Sequence, residues 1–192
     1  GSAALFGLDL RRHAERIMER LMDRTGESVH LSVLDQKEVV YVHKVESLNP
    51  VRAYSQIGGR AAAHCVATGK AMIAFRSKDW LQAMERELVA HTARSIVEPE
   101  RFRAEMARIR KRGYAVNHGE WREGVSGVAA PIRDSMGNVI AAIGVSGPSV
   151  HFSPKRIKDF ADQVIAAAEE FSESLAGGVP VRLTYLSSAW RD

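Results

Sequence analysis

The chain has 192 residues, 45% of them hydrophobic and 26% charged, with a formal net charge of +4. That length buries one substantial core and is short for two large domains, so one globular domain with terminal appendages is expected. No apolar run reaches the roughly 20 residues of a membrane helix. The single cysteine, Cys65, excludes an internal disulfide and a four-cysteine metal knuckle, and the small basic surplus does not by itself indicate nucleic acid. A cytoplasmic protein with no membrane contact is expected. Gly1-Ser2 reads as the scar of an expression tag, with native sequence missing ahead of it.

In chain order, Leu10, Ala14, Ile17 and Leu21 recur at helical spacing, Met18 and Met22 widen the stripe, and Gly26 is placed to end the helix. A helix of about five turns is predicted, with an apolar stripe that a lone chain would leave wet and that favours self-association. Val29, Leu31 and Val33 alternate with polar residues, Asp35-Gln36-Lys37-Glu38 supplies a turn, and Val39 to Val45 is β-branched and aromatic, which together read as a hairpin. Val51 to Ser55 suits another short strand, broken by Gly58-Gly59. Ala67, Ala71, Ile73 and Ala74 mark a short buried helix over Ala67 to Phe75, and Trp80, Leu81, Met84 and Leu88 mark another.

Pro99 to Arg112 reads as a helix with proline in its first turn, Phe102, Met106 and Ile109 on one face, and Gly113 as its stop. Two apolar strands, Val128 to Ile132 and Val139 to Val145, are joined by the turn sequence Asp134-Ser135-Met136-Gly137-Asn138 and predict a hairpin at the sheet centre. Ser153 and Pro154 supply an N-cap and a first helical residue. Ile157, Phe160, Ala161, Val164, Ala168, Phe171 and Leu175 then keep helical spacing to Gly177-Gly178. Val179 to Asp192 shows no period. Helices flanking a strand-rich centre predict an α+β domain, an antiparallel sheet covered by helices. The expected division is a linker helix over 1–26, one domain over 27–178 and a tail over 179–192.

Gly-Val-Ser-Gly occurs twice, at Gly124–Gly127 and Gly144–Gly147, and raises the alternative of a small serine hydrolase using Ser126 or Ser146. The spacing argues against it, because a nucleophile elbow needs G-x-S-x-G. The plainer expectation is that these glycines let backbone approach something closely, a ligand included. Thr68-Gly69-Lys70 lacks the earlier glycine of a phosphate loop, and neither His64-Cys65 nor Asn117-His118 has a recognised metal spacing. No cofactor is implied. Arg101, Arg103, Arg108, Arg110, Lys111 and Arg112 could attract phosphates, but a solvated helix face with its positive charge near the C-terminus explains them as well.

Four segments in order carry a resemblance. They are His64-Cys65-Val66-Ala67-Thr68-Gly69-Lys70-Ala71, Arg110-Lys111-Arg112-Gly113-Tyr114-Ala115, Val128-Ala129-Ala130-Pro131-Ile132 and Ala141-Ala142-Ile143-Gly144-Val145-Ser146-Gly147-Pro148. Together they resemble the effector-binding domain of the IclR family of bacterial transcriptional regulators, over Arg16 to Gly178. The resemblance implies a GAF-like sheet-and-helix fold and a regulatory, non-enzymatic role. It also implies assembly as a homodimer or homotetramer, and DNA contact only through an N-terminal winged helix-turn-helix joined by the first helix. It places a small organic acid against Ala67, Thr68, Asn117, Gly127, Gly144 and Ser146, with Tyr54, Cys65 and Trp121 as further pocket wall. Some relatives that take small oxo-acids carry an acidic residue, a cysteine and a serine where this chain has Asn117, Gly127 and Gly144. The replacements suggest room for a larger acid, an aromatic one among the candidates.

Overall fold

The computed structural model describes residues 2–52 and 56–176. It opens with helix α1 (Ser2–Thr25), then strands β1 (Ser28–Asp35), β2 (Glu38–Val45) and β3 (Arg60–Ala62), and helices α2 (Ala67–Ile73), α3 (Lys78–Glu85) and α4 (Pro99–Arg112). Strands β4 (Ala115–His118), β5 (Val125–Arg133) and β6 (Val139–Pro148) follow, and helix α5 (Pro154–Ala176) closes the described chain. The six strands form one antiparallel sheet in the order β3-β2-β1-β6-β5-β4.

Local chemistry accounts for most boundaries. Gly26 and Gly113 follow α1 and α4 with φ of 74° and 83°, a left-handed conformation in which a side chain would be strained. Ser153 caps α5, its hydroxyl accepting the Arg156 N–H at 3.3 Å. The β5–β6 turn is held by one carboxylate oxygen, Asp134 Oδ1, which accepts the N–H groups of Met136 and Asn138 at 2.9 Å each.

Both faces of the sheet are covered. On one, Val29, Val128, Ile132, Ile143 and Val145 pack against Ala14, Ile17, Met18 and Leu21 of α1 and Phe160, Val164, Ala168, Phe171 and Leu175 of α5. On the other, Val39, Ala115, Ala129 and Ala142 meet Ala67, Ala71, Met72 and Ile73 of α2, with Phe102, Met106 and Ile109 of α4 in the same cluster. The second face is lined by small residues, which lets α2 lie close to the strands.

Several expectations need correction. Helix α1 begins well before Leu10, and its stripe is not left wet: Ala14, Ile17, Met18 and Leu21 are buried inside this same chain, so they are not a surface for self-association. Val51 and Arg52 are not in a strand, and the remainder of that expected strand, with Tyr54, lies outside the described residues. The third strand instead forms at Arg60–Ala62, where Ala61 pairs with Val39. The four-residue β4 carried no separate signal because it is too short to show a period. The sheet centre is not the β5–β6 hairpin but the β1–β6 pair. The tail 179–192 lies outside the described residues.

Phe160 is 2% exposed and meets Phe152 edge to face at 5.2 Å, whereas Met136, at the tip of the β5–β6 turn, is 85% exposed. Phe160→Ala should therefore cost about 3–5 kcal/mol in urea denaturation. Met136→Ala should stay within about 0.5 kcal/mol. Equal effects would mean that the α5 face is not the core described.

Candidate functional site

The sheet register assembles the predicted residues. Ser28, Ser146, Gly127 and Asn117 stand opposite one another across β1, β6, β5 and β4, forming one row. The neighbouring row runs Lys44, His30, Gly144, Ala129, Ala115. Residues paired this way share a face, and α2 covers it. A Cβ built on Gly127 would lie 3.5 Å from the Ala67 Cβ and 3.6 Å from the Ser146 Cβ, and one on Gly144 would lie 3.1 Å from Thr68 Cγ2. The six residues Ala67, Thr68, Asn117, Gly127, Gly144 and Ser146, scattered over 80 positions of chain, thus meet in one place.

The geometry qualifies the idea that glycine makes room. At Gly144 a Cβ would also come within 2.8 Å of the Ala129 Cβ and 2.9 Å of the Val128 carbonyl oxygen, so the space is filled by the protein itself. Gly144 serves the close seating of α2. At Gly127 the tightest neighbour is the Val145 carbonyl oxygen at 3.0 Å, and the other contacts are ordinary.

Buried ions hold α2 in place. Lys70 Nζ donates to Glu120 Oε1 at 2.8 Å and lies 3.6 Å from Glu105 Oε2 of α4, with side-chain exposures of 1% for Lys70, 4% for Glu120 and 10% for Glu105. Glu120 also accepts the His118 N–H through Oε2, and its own N–H donates to Asn117 Oδ1, both at 2.8 Å. Its carbonyl oxygen takes the Ser95 hydroxyl at 2.6 Å. Gly69, next to Lys70, has no room for a side chain, since a Cβ there would fall 2.2 Å from the Ala63 carbonyl oxygen.

Three polar neighbours had no part in the sequence reading. His30 is buried and its Nε2 lies 2.6 Å from Ser146 Oγ. Burial, with the Lys44 charge beside it, pushes His30 down to about 4, so its imidazole is neutral near pH 7. The Tyr41 ring packs 5.3 Å from it, and burial pushes that phenol up to about 12 while Arg122 pulls it back. The signal for His30 was present as the polar half of the alternation Ser28, His30, Ser32. It reads as a solvent face until the strand is known to be central.

The remaining residues sort by contact. Cys65 is buried in a 3-10 turn, its thiol turned to Ser95 Oγ at 3.8 Å and pushed up to about 11 by burial, which leaves it unreactive. His64 donates through Nε2 to the Val89 carbonyl at 2.8 Å. Trp121 is partly buried between the His91 ring at 4.5 Å and the Arg122 guanidinium at 4.7 Å. Ser126 lies on the opposite sheet face, paired with Gly147 and bonded to Ser149 Oγ at 2.8 Å, so it cannot act with Ser146. Ser146 and His30 are a serine–histidine pair, but the charge beside His30 is a cation, and a general base needs an anion there. The basic face of α4 is largely neutralised: Arg101, Arg103, Arg108 and Arg112 each pair with a glutamate, and Arg110 donates to the Ala74 carbonyl. No group of three His, Cys, Asp or Glu among the described residues is placed to hold a metal, and no helix among them is long and apolar enough to cross a membrane.

Comparison with known proteins identifies the family and the fold. The family model for the bacterial transcriptional regulator IclR C-terminal region matches residues 2–173. The HTH-type transcriptional regulator KdgR of Escherichia coli K12 is 34% identical over 177 residues, covering 91% of this chain and 67% of that protein. The crystal structure of the Thermotoga maritima IclR superposes with a TM-score of 0.82 at 33% identity, over 87% of this chain and 68% of that one. The crystal structure of the C-terminal domain of E. coli KdgR gives 0.77 at 30% identity, over 88% of this chain and 99% of that domain. The sheet-and-helix arrangement is the GAF-like one. The chain spans 58% to 67% of the length of the full regulators it matches first. The family is regulatory and non-enzymatic, which removes the hydrolase alternative.

Two measurements test the site. Lys70→Met would strand Glu120 beneath α2 and should cost about 3–5 kcal/mol, with partial recovery on adding Glu120→Gln; full stability in the single variant would show that the ions do not hold the helix. His30 titrates near 6.5 when unfolded and about 4 when folded, so between these values the unfolded chain binds the extra proton. Stability is full above pH 6.5 and falls as pH drops, by up to about 3 kcal/mol from this group. His64 and His118, also lowered by burial, act in the same direction, while Glu27, raised by burial, opposes them. The contribution of His30 is therefore the difference in slope between parent and His30→Gln in urea melts from pH 7 to 4.5; identical slopes would contradict it.

Proposed function

The chain belongs to the IclR family of bacterial transcriptional regulators, and we propose that it is the ligand-sensing part of such a regulator, taking a small organic acid between α2 and the sheet. The observation that carries this reading is the convergence of Ala67 and Thr68, at the start of α2, with Asn117, Gly127 and Ser146 on the sheet face it covers. Polar groups in otherwise apolar surroundings are the usual make-up of a small-molecule site. With only seven residues, α2 is too short for a helix dipole to supply the charge that binds an acid. Lys44 and Arg122 bring positive charge close to His30 and Tyr41, with Lys44 itself paired to Glu46 at 2.8 Å.

Ligand binding would act on DNA through assembly. We assign the linker role to α1, which leads into the domain at β1, and DNA reading to the part of the full regulator that this chain does not span. The effector must favour one arrangement of the assembled chains, dimer or tetramer, because a ligand shifts an equilibrium only by its difference in affinity for the two states. The ligand class is an organic acid whose size is limited at Gly127. The close packing at Gly144 withdraws one of the three replacements that favoured a larger one.

An organic-acid library screened by melting temperature should return stabilising compounds, and a hit at about 100 times its dissociation constant adds roughly 2.7 kcal/mol. Ser146→Ala should weaken such a hit by about 5- to 150-fold. Gly127→Leu should reject larger hits and spare smaller ones. If neither change alters the affinity of a confirmed hit, the acid binds elsewhere.

A further inference from the structure

Gly26 and Glu27 join α1 to β1, and neutral groups hold the backbone there. Thr25 Oγ1 donates to the Leu21 carbonyl at 2.8 Å and accepts the Glu27 N–H at 3.2 Å. The Ser47 hydroxyl donates to the Gly26 carbonyl at 2.6 Å, and the Ser47 N–H donates to Ser28 Oγ at 3.0 Å. The Glu27 side chain reaches further, to the other end of the domain's sequence. Its Oε1 lies 2.7 Å from His151 Nδ1, in the 3-10 turn Ser149–His151 between β6 and α5.

A carboxyl group is costly in this place. Glu27 is 2% exposed, and burial pushes it above the ordinary carboxylate range while His151 and Arg156 draw it back. An apolar side chain would fill the space at less cost but would make no directed bond to the turn. Strand β6 yields the room. A Cβ on Gly147 would overlap Glu27 Oε2 and lie 3.0 Å from its Cδ, so the carboxylate takes the volume that a β6 side chain would fill.

The sheet register places this seat one residue from the pocket. Ser28 pairs with Ser146, which stands on the face covered by α2. Glu27 and Gly147, their neighbours in sequence, meet on the opposite face, with Phe152 of the α1–α5 cluster beside them. Gly147 shares a peptide unit with Ser146, and that unit is rigid. A displacement of β6 at Ser146 therefore moves the seat, and a close-packed interior passes the movement on.

We propose that Glu27 carries a change in the pocket to the linker helix: seated on Gly147 and tied to His151, it shifts the end of α1 when β6 is displaced at Ser146. This rests on the reading given above, in which the effector lies against Ser146 and α1 leads to the DNA-reading part of the regulator. Glu27 is a positioning residue and touches no ligand. The contacts of Ala14, Ile17, Met18 and Leu21 hold α1 on the sheet, while Glu27 sets how its last turn meets β1.

The coupling is tested in this chain without any ligand. Ser146 is only partly buried, so Ser146→Val adds bulk on the pocket face and displaces β6 there. Amide hydrogen exchange of residues 21–25 is measured relative to Val164, in the middle of α5, which follows global unfolding. Ser146→Val should change that ratio at least about threefold, the lower end of couplings between residues in contact, and should shift the His151 ring signals in NMR spectra. In a Gly147→Ala background, where the methyl pushes the carboxylate off its seat but leaves Glu27 and the pocket residues in place, the change should fall within about twofold, as for independent sites. Glu27→Ala should abolish it likewise, and Glu27→Gln, which keeps the shape and a bond to His151, should restore part of it. No response of residues 21–25 to Ser146→Val, or one undiminished by Gly147→Ala, overturns the proposal. Pyruvate and benzoate separate it from the pocket reading. Binding of either acid that Ser146→Ala leaves unweakened means that the acid lies elsewhere and the pocket reading fails, while the coupling is decided by Ser146→Val. Binding that Ser146→Ala does weaken, but that leaves exchange of residues 21–25 unaltered, sinks the coupling and keeps the pocket.

Discussion

The buried ion pair between Lys70 and Glu120 is the constraint on which the site depends. Two charges withdrawn from water are costly to desolvate and must be closely paired to be tolerated. The pairing joins α2 to the turn after β4, and Glu105 brings α4 to the same cation. Glu120 uses both carboxylate oxygens, its N–H and its carbonyl in the structure. An apolar contact could supply comparable stability, but not this one orientation. The ion pair fixes which residue of α2 faces which residue of the sheet, and Gly69 lets the helix pack closely on the Ala63 backbone of the turn that precedes it.

The two Gly-Val-Ser-Gly segments show how a repeated sequence can take unlike roles. Antiparallel pairing sets Gly127 against Ser146 and Ser126 against Gly147. One serine therefore lies beneath α2 and the other on the reverse face, near Ser149. Their glycines differ as well. Gly124 has a φ of 75° and needs the left-handed conformation, while Gly147 accommodates the Glu27 carboxylate, whose Oε2 would be 2.0 Å from any added Cβ. Identity of sequence here reflects two separate packing demands.

Much of the fold was legible because its long elements carry local signals. The limits of α4 follow from Pro99 and Gly113, those of α5 from Ser153 and its apolar period, and the β5–β6 turn from Asp134 and Gly137. Strands β3 and β4 escaped because three or four residues cannot show alternation, and their existence depends on partners elsewhere in the chain. At the site, Ala67, Thr68, Asn117, Gly127, Gly144 and Ser146 came from resemblance, and no spacing rule would have joined them. His30, Tyr41 and Lys44 were missed for a related reason: polar residues on a strand look solvent-facing until the covering helix is known. Gly144 was read as empty space because a sequence does not reveal that a neighbour fills it.

The order of the strands has a consequence for how the chain matures. Its two middle strands, β1 and β6, come from opposite ends of the domain, and α1 lies against α5, with His13 bonded to Ser174 across a separation of 161 residues. Little of the face shared by α1 and α5 can close until α5 has been synthesised. Contacts so distant in sequence make folding slow relative to a helical bundle, since loop closure must precede the reward of packing. During translation α1, with its apolar side still uncovered, must wait for α5 to emerge from the ribosome. The polypeptide is accordingly most exposed to aggregation and proteolysis before α5 is made, and loss of that helix alone would undo the half of the core that the first one shares.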